Sequence, residues 1–118
     1  MERMKIKARG WKKYFETINA ELRHKPVQIE GDSLASGGRL KSGWIELNEI
    51  SYDPEFDLCD ISVSGLVLQF KRLQDIHLVC GSNGISVIEI KGTDGVKHIV
   101  RFREPLTLPA PAVAMEVI

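Results

Sequence analysis

Residues 85–102 have the sequence ISVIEIKGTDGVKHIVRF, which decides the fold of the C-terminal half of the chain. Two runs rich in β-branched residues flank a turn that ends in Asp94-Gly95. Gly95 has no Cβ and takes a positive φ without a clash, and Asp94 tolerates that region better than most residues. The pattern predicts a β-hairpin, and with it an antiparallel sheet built by local pairing without crossover helices.

One amphipathic helix is predicted near the N-terminus, over residues 9–24. Its apolar residues recur at helical spacing and form a single stripe: Trp11, Tyr14, Phe15, Ile18 and Leu22. The polar residues between them, Asn19 included, fall on the other faces. Pro26 ends the helix, because the residue before a proline is disfavoured in the α conformation. We expect the stripe to pack on a sheet.

After Pro26 the sequence is strand-like almost throughout, with a small polar loop at residues 33–38. One helix followed by a run of strands with short connections indicates an α+β protein. We expect a single domain over residues 1–118. It would contain the helix (9–24), an antiparallel meander sheet of about six strands (26–104) and a Pro-rich apolar tail (105–118). The sheet would curl around the helix as an open sheet or a partial barrel.

The composition is that of an ordinary globular protein. The 118 residues are 43% hydrophobic and 27% charged, which excludes a disordered protein. Sixteen basic and sixteen acidic residues cancel, so no long-range field draws the whole molecule onto nucleic acid. No apolar run approaches the length of a membrane span, and no apolar segment follows the basic N-terminus as in a secretory signal. We therefore predict a cytoplasmic protein that does not act at membranes.

An acidic cluster is the first candidate for chemistry: Asp53, Glu55, Asp57 and Asp60. A calcium loop requires glycine at its sixth position and a bidentate glutamate at its twelfth. Counted from Asp53, those positions hold Leu58 and Ser64. We interpret the cluster as a solvated acidic turn.

The histidines and cysteines form no recognisable site. His24, His77 and His98 have no partner at metal-ligand spacing. His98 shares a strand face with Val100 and Phe102, which is typical of a packing residue. Cys59 and Cys80 are too few for a secreted disulfide framework, and we expect both to be reduced thiols. We assign no catalytic, cofactor-binding or metal-ligating residue and expect no cofactor.

The pieces together resemble a known family. The aromatic helix Trp11-Lys12-Lys13-Tyr14-Phe15 precedes the segment Ile45–Asp53, and the segment Val87–Ile90 precedes Asp94-Gly95 and Val100-Arg101-Phe102. In this order and spacing, residues 9–102 resemble a family of short bacterial proteins classed only as a domain of unknown function. The resemblance implies a bacterial cytosolic origin and no known activity, and it carries over no functional residue.

Two classes of function remain open. The first is a small non-enzymatic interaction module whose partner is another protein or a second copy in a homodimer, because sheet edges invite pairing. The second is a ligand-binding or enzymatic domain with a site on the sheet. Its candidate residues are His77, His98, Glu89, Asp60 and Arg101. The two are distinguished by whether these side chains converge in a cavity.

Nucleic-acid binding is a weaker third alternative. It rests on the basic N-terminus, where Lys5, Lys7, Arg9, Lys12 and Lys13 surround two aromatic residues. Basic residues interleaved with aromatics are typical of a phosphate-backbone contact. The helical spacing of the aromatics favours a core position for them, and with it a solvated basic face.

Overall fold

The computed structural model describes residues 2–32, 39–107 and 115–117. In chain order the elements are β1 (Glu2–Ile6), a 3-10 turn (Ala8–Gly10), α1 (Trp11–Leu22), β2 (Lys25–Asp32), β3 (Arg39–Lys41), β4 (Ile45–Asp53), β5 (Leu58–Val63), β6 (Leu66–Lys71), β7 (Leu73–Gly81), β8 (Gly84–Gly92), β9 (Lys97–Leu106) and β10 (Met115–Val117). The predicted loop at residues 33–38 lies outside the described residues.

The strands form one antiparallel sheet that curls without closing into a barrel. Its order is β10-β1-β7-β8-β9-β2-β4-β5-β6, and β3 pairs with β2. The predicted α+β meander is confirmed, but the expectation of about six strands was wrong, since the described residues form ten. One extra strand is β1, whose alternation of Met and Lys is too weakly apolar to predict a strand. Another is β10, which pairs with β1 through Met4–Ile6.

The predicted hairpin around Asp94-Gly95 is confirmed. Strands β8 and β9 pair up to Lys91 and Lys97, and the turn between them spans residues 93–96. Gly95 has φ of 85°. Asp94 contributes through its side chain, because its Oδ1 accepts the Val96 N–H at 2.9 Å, as in an Asx turn.

The helix lies inside the curl, and its predicted stripe is buried. It begins at Trp11, after the 3-10 turn, and ends at Leu22, inside the expected limits. Phe15, Ile18 and Leu22 are completely buried, and each such burial stabilises the fold by about 1.5–3 kcal/mol. At the other end of the helix Trp11 Nε1 donates to the Ile6 carbonyl at 2.8 Å, while its ring meets Tyr52 edge-on at 5.1 Å. The helix thus joins β1, near one end of the sheet, to β4, near the other.

Asn19 fixes the helix to the sheet, because its side-chain amide makes the two hydrogen bonds that a neighbouring strand would make. Its Nδ2 donates to the Ile50 carbonyl at 2.9 Å, and its Oδ1 accepts the Ile50 N–H at 3.0 Å. Strand β2 pairs with β4 only over Ile45–Leu47, and the β4–β5 register shifts just after Leu47. No described strand therefore pairs with Ile50 on the side away from β5, and the Asn19 amide bonds the Ile50 N–H and carbonyl there instead.

The chain turns a sharp corner at Arg72, between β6 and β7. The two strands are consecutive in sequence, yet β6 ends the sheet and β7 lies between β1 and β8. Arg72 has φ of 56°, its N–H donates to the Asp57 carbonyl and its carbonyl accepts the Thr93 N–H. This corner brings the last strand of the sheet back towards β8 and β9. No helix in the described part of the chain has the length and apolar character needed to cross a membrane.

Candidate binding cleft

The curl leaves a seam on the inner face of the sheet, the face towards the helix. On one side β6 presents Leu66, Leu68 and Phe70, which pair with inner-face residues of β5. On the other side His98 of β9 pairs with Ile90 and Gly31. The Phe70 and His98 rings touch across the seam, with centroids 4.2 Å apart and planes inclined by 41°. This ring pair is a bridge that divides the seam into two chambers.

Gly31 makes room for the bridge. A Cβ added at Gly31 would lie 2.6 Å from His98 Cδ2, closer than side chains pack. The His98 ring therefore lies directly over the β2 backbone. Since Phe70 and His98 are both half-buried, their outer edges are open to solvent.

The first chamber is apolar and has a volume of about 480 Å³. Six of its side chains are hydrophobic: Ile29, Ile45, Val63, Leu66, Leu68 and Phe70. Its polar side chains are already engaged. Ser42 Oγ accepts the Ile29 N–H at 2.9 Å and donates to the Gly43 carbonyl at 2.7 Å, and Lys41 Nζ lies 3.8 Å from Glu30 Oε1. The chamber is suited to hydrocarbon.

The second chamber lies beyond the bridge, has a volume of about 560 Å³ and is much more polar than the first. Its floor is Leu73 and Ile90, and its walls carry Lys71, Arg72 and Asp94 from the corner and the hairpin turn. Lys71 and Arg72 are exposed and form no ion pair with any residue that the structure describes. Asp94 uses one carboxylate oxygen on the Val96 N–H. Among the described residues, the chamber thus carries two cations and one carboxylate.

Only one of the five candidate polar residues reaches the cleft. His98 lines both chambers. His77 and Glu89 are paired with each other on the outer face of the sheet, and Arg101 lies on that face opposite Val87. Asp60 is also outward, opposite Ser51 and Gln69. The five side chains therefore do not converge into a common site.

The outer face carries a network of ion pairs instead. Arg3 Nη2 lies 2.6 Å from Glu89 Oε1, and Lys5 Nζ lies 3.1 Å from Asp75 Oδ1. Arg101 Nη2 lies 3.1 Å from Glu30 Oε2. Burial first, and then the neighbouring Arg3 guanidinium, lower the pKa of His77 below its usual range. Such exposed pairs contribute little individually, about 0–1 kcal/mol each.

The acidic turn is organised around Asp57. Its Oδ1 accepts the Tyr52 hydroxyl at 2.7 Å and, at 3.4 Å, the Leu73 N–H. Asp53 Oδ1 accepts the Glu55 N–H at 2.9 Å. Burial, followed by the Asp57 hydrogen bond, raises the pKa of Tyr52 to about 12. Within the described ranges no three His, Cys, Asp or Glu residues are grouped so that they could hold a metal ion.

The remaining candidates are structural. Cys59 is buried in the core and Cys80 half-buried, both as free thiols, and burial raises the pKa of Cys59 to about 12. A thiol of that pKa is a poor nucleophile at neutral pH. At the N-terminus Trp11 and Tyr14 are buried, as their spacing predicted. Lys5 and Lys12 form ion pairs with Asp75 and Glu16.

Sequence reasoning missed Phe70, Lys71 and Arg72 as cleft residues. The alternation of β6 predicts that Leu66, Leu68 and Phe70 share one face, but the seam joins positions 70 and 98, which local pairing does not connect. The sequence does carry one signal of the corner, because no turn residues separate β6 from β7. The two strand patterns run together without a Gly, Pro or Asn, which indicates a bent continuous strand and not a hairpin.

Fold and cleft define an α+β protein in which, over the described residues, one antiparallel sheet curls around one α-helix and leaves a two-chambered seam. The chain belongs to the Family of unknown function (DUF5335), whose model matches residues 2–111. It is similar to an "Uncharacterized protein" of Aquifex aeolicus (strain VF5), with 26% identity over 107 residues that cover 84% of this chain and 90% of the relative. No solved structure matches it.

Proposed function

We propose that the protein is a non-enzymatic interaction module of the bacterial cytoplasm that self-associates into a homodimer through β6. The observation that carries the proposal is that this edge strand exposes apolar side chains. Strand β6 ends the sheet, and it exposes two aliphatic side chains, Leu66 at 67% and Val67 at 57%. Exposed apolar residues on a strand with one open edge favour pairing of that edge with another strand.

Strand β6 lacks the features that usually protect an edge. Its pairing with β5 is regular from Leu58–Lys71 to Val63–Leu66, without a bulge. It contains no proline, and its only charge is Lys71 at one end. The opposite edge, β10, is only three residues long. Proteins commonly blunt their edges with charges, prolines, bulges or short strands, so β6 is the edge best suited to a partner.

The hairpin geometry sets which groups a partner strand would meet. Ser64 and Gly65 both have positive φ, as in a two-residue type I′ turn, so Val63 and Leu66 form a hydrogen-bonded pair. Alternate residues, Val67 and Gln69 among them, then direct their N–H and C=O groups away from β5. These groups are available to a second strand.

A second copy of β6 fits this edge about a two-fold axis. With Leu68 opposite Leu68 of the other copy, Val67 lies opposite Gln69 and Leu66 lies opposite Phe70. This register bonds the outward groups of Val67 and Gln69 reciprocally, as an isologous interface requires. It also covers the exposed Leu66 and keeps the two Lys71 side chains apart.

The test is sedimentation velocity over a concentration series. The wild type is expected to form dimers, and Val67→Lys is expected to remain monomeric, because it places a charge at the centre of the paired edge. Phe56→Lys is the matched control. Phe56 is 69% exposed but lies in the β4–β5 turn, so this variant should dimerise like the wild type. A wild type that stays monomeric at its highest soluble concentration, or dimerisation unaffected by Val67→Lys, contradicts the proposal.

A further inference from the structure

We propose that the seam cleft binds an amphipathic monocarboxylate, a free medium-chain fatty acid or a close analogue. The hydrocarbon chain would lie in the apolar chamber and the carboxylate in the polar chamber. Val67, the position substituted to test the dimer, lies on the outer face of β6 and lines neither chamber, so the two proposals can be tested separately.

The apolar chamber accounts for the hydrocarbon part. Its volume of about 480 Å³ lies within the range of small-molecule sites, about 300–1,000 Å³. Leu68 and Phe70 on one wall face Ile29 and Ile45 on the other, and the Ser42 hydroxyl is already satisfied by Ile29 and Gly43. A polar ligand placed here would find no spare donor on Ser42, whereas an alkyl chain needs none.

The polar chamber accounts for the charge. Lys71 and Arg72 stand side by side at the corner, and neither makes an ion pair with the described residues. On the outer face of the sheet, by contrast, Arg3, Lys5 and Arg101 lie within 3.1 Å of a carboxylate. Asp94 lines the same chamber, so its net charge is positive by one, which complements a monoanion.

The Arg72 corner and the Phe70–His98 bridge hold the two chambers at a fixed separation. Arg72 is held in the left-handed region, where a non-glycine residue is strained, by backbone hydrogen bonds to Asp57 and Thr93. Phe70 and His98 belong to both chambers. A ligand that fills both chambers therefore crosses the open edge of this ring pair, with its head on one side and its chain on the other.

The first experiment is calorimetric titration of the wild type with octanoate, decanoate and dodecanoate below their micelle concentrations. Each pair of added methylenes is expected to lower the Kd roughly tenfold, because the chain is transferred from water into the apolar chamber. Dodecyltrimethylammonium, with the same chain and the opposite charge, should bind at least tenfold more weakly than dodecanoate. Equal affinity for the two overturns the charge assignment.

The second experiment removes the two cations. In the double variant Lys71→Gln/Arg72→Asn the Kd for dodecanoate should rise about tenfold or more, while that for dodecanol changes less than twofold. Asparagine tolerates the left-handed conformation at position 72. The control Lys13→Gln/Lys25→Gln removes the same charge far from the cleft and should bind like the wild type. An unchanged Kd in the first double variant, or an equal loss in the control, overturns the site.

The third experiment follows the backbone amide NMR shifts of the wild type during titration with dodecanoate. It uses no variant, so its result does not depend on how a variant folds. Dodecanoate should perturb β6, residues 92–98 and Gly31 in a saturable manner. Perturbations confined to other parts of the molecule, or binding only to phosphatidylglycerol vesicles and not to the free acid, contradict the proposal. Val67→Lys should bind dodecanoate with wild-type affinity, which separates this site from the dimer edge.

Discussion

The inner face of the sheet is covered in one region and open in another. In the covered region the helix buries residues such as Ile76, Leu78 and Ile61 to 1% exposure or less. In the seam Leu66 is 67% exposed, and Leu68 and Phe70 are half-buried, although they continue the same face across paired strands. Alternation therefore specifies which face a side chain occupies, whereas the position of the helix decides whether that face is buried. The part of this face that the helix leaves uncovered stays in contact with solvent.

The largest expected effect lies at the start of the covered region. Trp11→Ala should destabilise the protein by about 3–5 kcal/mol, because it removes a buried ring and its hydrogen bond to Ile6. Trp44, 45% exposed, is the matched control, and Trp44→Ala should change the stability by about 0.5 kcal/mol or less. Urea denaturation measures both. A loss under about 1 kcal/mol for Trp11→Ala would mean that the helix does not anchor the curl.

A leucine-to-alanine substitution in each region sharpens the comparison between the covered region and the seam. Leu78→Ala, at a site 1% exposed, should cost about 2–5 kcal/mol in unfolding free energy. Leu68→Ala in the seam should cost about 1 kcal/mol, since much of its surface is already in water. Similar losses at the two positions would show that the seam is as closely packed as the covered region.

The helix–sheet anchor is expected to have an intermediate effect. Asn19→Ala leaves the Ile50 N–H and carbonyl without their partner and should destabilise the protein by about 2 kcal/mol. Asn48→Ala is the control, because the one hydrogen bond that the Asn48 side chain makes to the described residues is a 3.5 Å contact with Glu46. If chemical denaturation gives equal midpoints for the two variants, the Asn19 amide does not hold the helix on β4.

The smallest expected effect is a pH dependence on the outer face. The pKa of His77 is lower in the folded protein than its usual value near 6.5. The unfolded chain therefore binds the proton first, so the stability contribution of neutral His77 is present at higher pH and is lost as the pH falls through 6.5 and below. His77→Gln should reduce the drop in stability between pH 7.5 and pH 5.5. An identical drop in wild type and variant would exclude His77 as its source.

The sequence predicts the covered region well and the open region poorly. The spacing of Trp11, Phe15 and Leu22 and the Asp94-Gly95 turn depend on local geometry, so the helix stripe and the hairpin follow from them directly. The helical spacing puts Asn19 on a face other than the apolar stripe and does not predict its bonds to Ile50, because nothing local shows that β4 lacks a neighbouring strand there. The cleft depends on a corner at Arg72 that brings positions 70 and 98 together, and such a long-range contact leaves no periodicity.

The central claim is that the end strand of the sheet returns across the seam and places Phe70 against His98. The most direct test is a nuclear Overhauser measurement between the ring protons of these two residues in the wild type. Because their centroids are 4.2 Å apart, a strong cross-peak is expected, and Gly31→Ala should weaken it by displacing the imidazole. Absence of the cross-peak in the folded wild type, with both rings assigned, would contradict the curled seam and the cleft within it.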